Sequence, residues 1–211
     1  SIPWLVPHCG WIALFAFVPL LFLENLAHEK QLKHFSLLQY SAFLLWNAFT
    51  TFWVSNATVG GGIFAVTANA LFSAIIFQLF HISRRFLKRS APYMLLVSLW
   101  IAWEKLYFNV QISWPWLTLG YAFAQSTELV QWYEYLGSLG GSLWVLLSNI
   151  FIYKTLEAFL EKQAQRKKTL LFSSSASCPY KYNDKKSIPS KTTFLFIFRF
   201  PYSIDKRRSV Y

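Results

Sequence analysis

Five apolar stretches, separated by polar loops that carry lysine and arginine only at every second crossing, constrain this chain more than any other feature. The stretches run at about Trp11–Leu23, Phe35–Val54, Ile63–Ile82, Ala91–Phe108 and Leu139–Phe159. A helix rises about 1.5 Å per residue, so about 20 apolar residues reach across the hydrocarbon of a bilayer. The expected fold class is therefore an all-α integral membrane protein with about five transmembrane helices. The first run is short and needs Ile2–Gly10 to cross. Pro3, Pro7 and Pro19 bend it, which transmembrane helices tolerate.

The charges orient the set. Lys30 and Lys33 lie in the loop Glu24–His34. Arg84, Arg85, Lys88 and Arg89 follow the third run, and Lys162, Arg166, Lys167 and Lys168 follow the fifth. The loops Ser55–Gly62 and Asn109–Gly137 carry almost none. Cytoplasmic loops are the ones enriched in Lys and Arg. The expectation is a multi-pass protein of a bacterial cytoplasmic membrane, with residues 109–137 outside and the C-terminal tail inside.

Composition agrees with a membrane class. The 211 residues are 55% hydrophobic and 20% aromatic, and 14% are charged. The formal charge of +11 invites a nucleic-acid reading until it is mapped. Residues 1–161 hold 8 Lys/Arg against 7 Asp/Glu, and residues 162–211 hold 12 against 2. The body is near neutral, so no nucleic acid is expected as a partner. Two domains are expected: a membrane domain over 1–161, and over 162–211 a basic tail of low order. The apolar run Phe194–Phe200 in that tail is too short to span. The chain opens at Ser1 without a basic leader, so no secretory signal is visible.

The candidate site residues cluster late in the body. Glu104 lies inside the fourth run, and a carboxylate at membrane depth faces protein or a wet cavity. Two readings stand side by side. It shapes a polar pocket near the outer face, or it pairs with Lys105 and reaches water. Trp114, Pro115 and Trp116 make a stiff interfacial turn, because proline fixes its own φ and restricts the residue before it. Gly120 and Tyr121 extend it. Gly137, Gly140 and Gly141 with Ser138 and Ser142 permit close packing, and Asn149 is expected to hydrogen-bond a neighbouring helix. His8, His28, His34 and His81 show no ligand spacing. Cys9 and Cys178 are far apart and sit beside no activating arrangement. No catalytic residue, metal site or cofactor is expected from the residues alone.

These motifs carry a resemblance. Trp100-x-x-Trp103-Glu104, then Trp114-Pro115-Trp116-Leu117-x-Leu119-Gly120-Tyr121, then Gly137-x-x-Gly140-Gly141-Ser142-Leu143 and Asn149 look like the membrane part of apolipoprotein N-acyltransferases. The leader Trp11–Leu21 looks like that family's second span. The resemblance covers about residues 4–160. It implies transfer of an acyl chain from a phospholipid donor to the N-terminal cysteine of a diacylated lipoprotein. It places the catalytic Glu, Lys and Cys on a nitrilase-like domain between the last two spans, a domain that this chain does not match. It implies lipid contact for Glu104, Trp114, Trp116, Gly120 and Tyr121.

The chain departs from the family pattern at Tyr107, where many members carry an arginine, and again from about Gln165 onward. The expectation is a truncated family member that supplies lipid-binding membrane helices, is inactive alone, and ends in an out-of-frame tail. The alternative is a non-enzymatic membrane remnant that binds lipid or a partner protein, with the basic tail against anionic lipid. A small transporter is disfavoured, since Glu104 is the one clear charge within a run and no internal repeat is visible.

Overall fold

The computed structural model describes residues 1–109 and 115–175, with side chains placed over 1–109 and 116–167. Among the described residues the chain is entirely helical: α1 (Ile2–Leu5), α2 (Val18–Lys30), α3 (Phe35–Thr51), α4 (Val59–Ser83), α5 (Ala91–Phe108) and α6 (Tyr133–Ser175). Short 3₁₀ turns link them at Gly10–Phe15, Phe52–Asn56, Pro115–Leu117, Leu119–Phe123 and Thr127–Leu129. Gly10–Lys30, Val59–Ser83 and Tyr133–Lys167 are long and apolar enough to cross a membrane. The contacts divide the chain into Ser1–Lys167 and Lys168–Tyr211.

Proline and polar side chains explain the first segment. Pro19 sits at the first turn of α2, where its missing N–H costs nothing. The chain before it therefore runs as a 3₁₀ turn, and its backbone groups need outside partners. Asn149 of α6 supplies them. Its Oδ1 accepts the Phe17 N–H at 2.8 Å, and its Nδ2 donates to the Ala13 carbonyl at 2.8 Å. The expected hydrogen bond from Asn149 to another segment is thus present, and it stitches the broken leader to α6.

Helix α3 turns apolar side chains outward and polar ones inward. On α3, Leu37, Leu45 and Phe49 are exposed, at 66%, 57% and 60%, while Gln39, Asn47, Thr50 and Thr51 are buried. Water rewards the opposite arrangement, whereas hydrocarbon rewards this one. Gln39 spends its amide on α4, donating to Gln78 Oε1 at 2.5 Å and to the Ala74 carbonyl. Between the helices the high aromatic content becomes a stacked core. Phe17 meets Trp100 edge-on at 5.3 Å, Phe77 meets Phe80 at 5.4 Å, Phe80 meets Tyr93 at 5.3 Å, and Phe22 meets Tyr153 at 4.9 Å. Such ring pairs add about 0.5–1.5 kcal/mol beyond the area they bury.

Several expected boundaries move. Glu24–His34 is not a loop, because α2 continues to Lys30 and Glu24 is 1% exposed. Two basic partners on α4 hold that carboxylate inside. Gly60–Gly62 lie in the first turns of α4 rather than in a connection. Helix α6, Tyr133–Ser175, extends beyond both ends of the expected fifth run, Leu139–Phe159. Cys178 and the rest of the tail, 176–211, lie outside the described residues, as does Trp114.

Candidate functional site

One part of the connection between α5 and α6, residues 118–123, is folded into the bundle. Leu119 and Phe123 are fully buried, and Gly120 and Ala122 are buried beside them. A backbone segment at this depth must have its polar groups satisfied, and three side chains do so. Glu104 Oε1 accepts the Leu119 N–H at 2.9 Å and the Trp100 indole N–H at 3.1 Å. Ser142 Oγ accepts the Gly120 N–H at 2.9 Å. The Tyr133 hydroxyl donates to the Gly120 carbonyl at 3.0 Å.

Glycine is required at two of these contacts. A Cβ on Gly120 would lie 2.1 Å from the Ser138 carbonyl oxygen, so α6 approaches the connection backbone to backbone. A Cβ on Gly141 would strike the Tyr133 hydroxyl, whose ring lies across the bare helix face on its way to Gly120. The space at Gly141 is thus filled from its own helix, and Gly120 is where two segments meet closely. Gly137 bends the start of α6 at φ 65°, ψ −174°, a conformation open to glycine alone.

Two cavities flank this segment. The larger, about 450 Å³, is lined by Trp4, Trp53, Trp116 and Tyr121, with the buried Thr50 and Thr51 and the exposed Gln125 also in its wall. Trp116 is 60% exposed and meets Trp53 edge-on at 6.4 Å. The smaller, about 30 Å³, lies deeper between Asn47, Asn69, Trp103, Glu104, Tyr107 and Thr118. Glu104 Oε2 and Asn47 Oδ1 are buried and have no partner among the described residues. That volume suffices for one water bridging two acceptors. Leu117 lines both cavities.

The structure therefore brings Trp116 and Tyr121 onto one wall and sets Glu104 behind them as the anchor of the segment that carries them. Glu104 answers to main chain and indole. The pairing with Lys105 that the sequence allowed is replaced by these bonds. At the arginine position of the motif, the Tyr107 hydroxyl donates to Asn69 Oδ1 at 2.7 Å. Sequence reasoning missed Trp4, Thr50, Thr51 and Trp53, which come from α1, the end of α3 and the 3₁₀ turn Phe52–Asn56. Nothing in their local pattern marks them. Tyr133 was missed as well, although its spacing of eight residues from Gly141 on one helix was available.

A second polar cluster lies between α2 and α4. Glu24 accepts from Arg84 in a close ion pair and lies 2.9 Å from His81 Nδ1. Arg84 also donates to Asn25 Oδ1 at 2.9 Å. His28 stands edge-on to His81, with ring centres 6.0 Å apart.

Comparison with known proteins addresses the same residues. A family model described as apolipoprotein N-acyltransferase N-terminal domain matches residues 2–151. An apolipoprotein N-acyltransferase of Chlorobaculum tepidum is 30% identical over 161 residues, which is 76% of this chain. The chain spans 29% of the length of that relative. No solved structure matches.

Proposed function

Because this chain belongs to the apolipoprotein N-acyltransferase family, matched through that family's N-terminal domain, we propose that it forms the membrane part of such an enzyme and holds the phospholipid acyl donor there. In this reading five helices, α2 to α6, cross a bacterial cytoplasmic membrane. The clusters Lys30–Lys33, Arg84–Arg89 and Lys162–Lys168 stay on the cytoplasmic side, and residues 109–137 face outward. The acceptor is a diacylated lipoprotein that arrives at the outer face. This chain positions the donor, and the acyl-carrying step belongs to a catalytic part like that of the relative.

The observation that carries the reading is the aromatic cavity. Its volume of about 450 Å³ falls in the range of about 300–1,000 Å³ that holds small ligands. Its walls are the indoles of Trp4, Trp53 and Trp116 and the ring of Tyr121, with the exposed amide of Gln125 at the rim. Indole and phenol rings with one apolar body and one polar tip suit the headgroup level of a bilayer. A lipid glycerol at the rim with an acyl chain against the rings satisfies both surfaces. Glu104, Ser142 and Tyr133 hold the Trp116–Tyr121 segment in place by its backbone, so the wall is preformed.

The test is lipid retention by the full chain purified in detergent. Replacing a central aromatic at a binding surface costs about 2 kcal/mol, roughly 30-fold in affinity. Trp116→Ala combined with Tyr121→Ala is expected to strip bound phospholipid, read by mass spectrometry, while Leu45→Ala on the exposed face of α3 retains it. Equal phospholipid in all three proteins would sink the proposal.

A further inference from the structure

We propose that Glu24, His28 and His81 form a binding site for a divalent transition-metal ion of the zinc class. One ligand atom from each of the three residues lies within 4.8 Å of the others. Glu24 and His28 stand four residues apart on α2, the spacing that places two side chains on one helix face. His81 comes from the last turn of α4. Two imidazoles and one carboxylate are a donor set for zinc, iron(II) or cobalt(II), and the nitrogens disfavour calcium and magnesium. Three protein ligands leave a fourth position for water.

Three further observations point to a ligand. His28 Nδ1 is buried and has no partner among the described residues. A buried ring nitrogen with nothing to bond is costly, and a metal would use its lone pair. Glu24 Oε1 faces His81, while Oε2 takes the guanidinium of Arg84. A carboxylate with one oxygen toward the metal and the other held by an outer partner is the usual second layer of such sites. Finally, His81 lines a cavity of about 250 Å³, which brings open space to one of the three ligands, with Lys33 and Arg85 in the same wall.

Zinc–ligand distances of about 2.0–2.2 Å require the three atoms to draw closer than their present limit. Binding therefore draws the His28 ring toward the Glu24–His81 pair, a movement that no hydrogen bond at Nδ1 resists. Arg84 on Glu24 and Arg85 at the cavity mouth repel a dication. The site is therefore weaker than a closed four-ligand zinc site. The cluster lies apart from the aromatic cavity and does not depend on the lipid reading.

The experiment uses the full chain with an affinity tag that contains no histidine, stripped by a chelator and titrated with cobalt(II). The expected result is a visible absorption band that saturates at one ion per chain and is displaced by zinc. His28→Ala should weaken binding by more than about 100-fold, beyond the 10–100-fold typical of outer-layer losses. The metal-free His28→Ala protein should lose no more than the ring contact with His81, about 0.5–1.5 kcal/mol, and stay folded at the temperature of the titration. His34→Ala should bind as the wild type does. Wild-type protein that takes up no more cobalt than His28→Ala overturns the proposal, as does uptake that survives both His28→Ala and His81→Ala.

Discussion

Replacing Asn149 should loosen the whole N-terminal leader, and the structure sets the size of the effect. Asn149 is fully buried on α6 and makes two bonds to a segment more than 130 residues earlier, to the Phe17 N–H and the Ala13 carbonyl. A third bond runs within its own helix to the Val145 carbonyl at 2.8 Å. Inter-segment hydrogen bonds in membrane proteins average about 0.6 kcal/mol and reach about 1.7. The Phe17 N–H, at the start of α2, then has no acceptor, which adds about 1–3 kcal/mol. Asn149→Ala should therefore cost about 2–4 kcal/mol. Asn149→Leu keeps the volume and isolates the polar loss at about 2 kcal/mol. Equilibrium unfolding in mixed micelles at rising dodecyl sulfate measures both. If either variant stays within about 0.5 kcal/mol of wild type, the range of an idle surface position, Asn149 does not hold the leader.

Substitutions at Gly120, Gly60, Glu104 and Arg84 are read by the same unfolding assay. Gly120→Ala drives a Cβ to 2.1 Å from the Ser138 carbonyl and should cost about 3 kcal/mol or more. Gly60→Ala, with nothing within 4 Å, should instead be neutral or gain up to about 1 kcal/mol. Glu104→Leu removes the acceptor of the Leu119 N–H and should cost about 1–3 kcal/mol more than Glu104→Gln, which can still accept it. Arg84→Met strands the buried Glu24 carboxylate, at about 3–5 kcal/mol, and Glu24→Leu added to it should recover most of that loss.

The parts of the fold that were legible in the sequence rest on composition along the chain. The last four apolar runs coincide with α3 to α6, because run length is a local property, while the first is split between the 3₁₀ turn Gly10–Phe15 and α2. Asn149 was legible for the same reason, as a lone amide in an apolar run that needs a partner. Glu24 was not. It closes an apolar run and looks like the start of a loop, and its partners His81 and Arg84 lie 57 and 60 residues later. Only folding reveals that a carboxylate there is paired. The Trp116–Phe123 stretch has no helical period, so its interfacial aromatics were visible while its insertion among the helices was not. That insertion depends on Gly120 meeting Ser138 and on Tyr133 reaching over Gly141, which are matters of distance rather than pattern.

The central claim is that the wall formed by Trp4, Trp53, Trp116 and Tyr121 holds a phospholipid. The most direct measurement is photo-crosslinking of the full chain with a phospholipid that carries a diazirine in its acyl chain, followed by peptide mapping. A lipid held in the cavity gives adducts concentrated on the two peptides that contain Trp53 and Trp116–Tyr121, competed by unlabelled phospholipid. Adducts spread evenly over the exposed faces of α3 and α4, at residues such as Leu37, Leu45 and Ile63, with no competition, would mean that the cavity holds no lipid of its own.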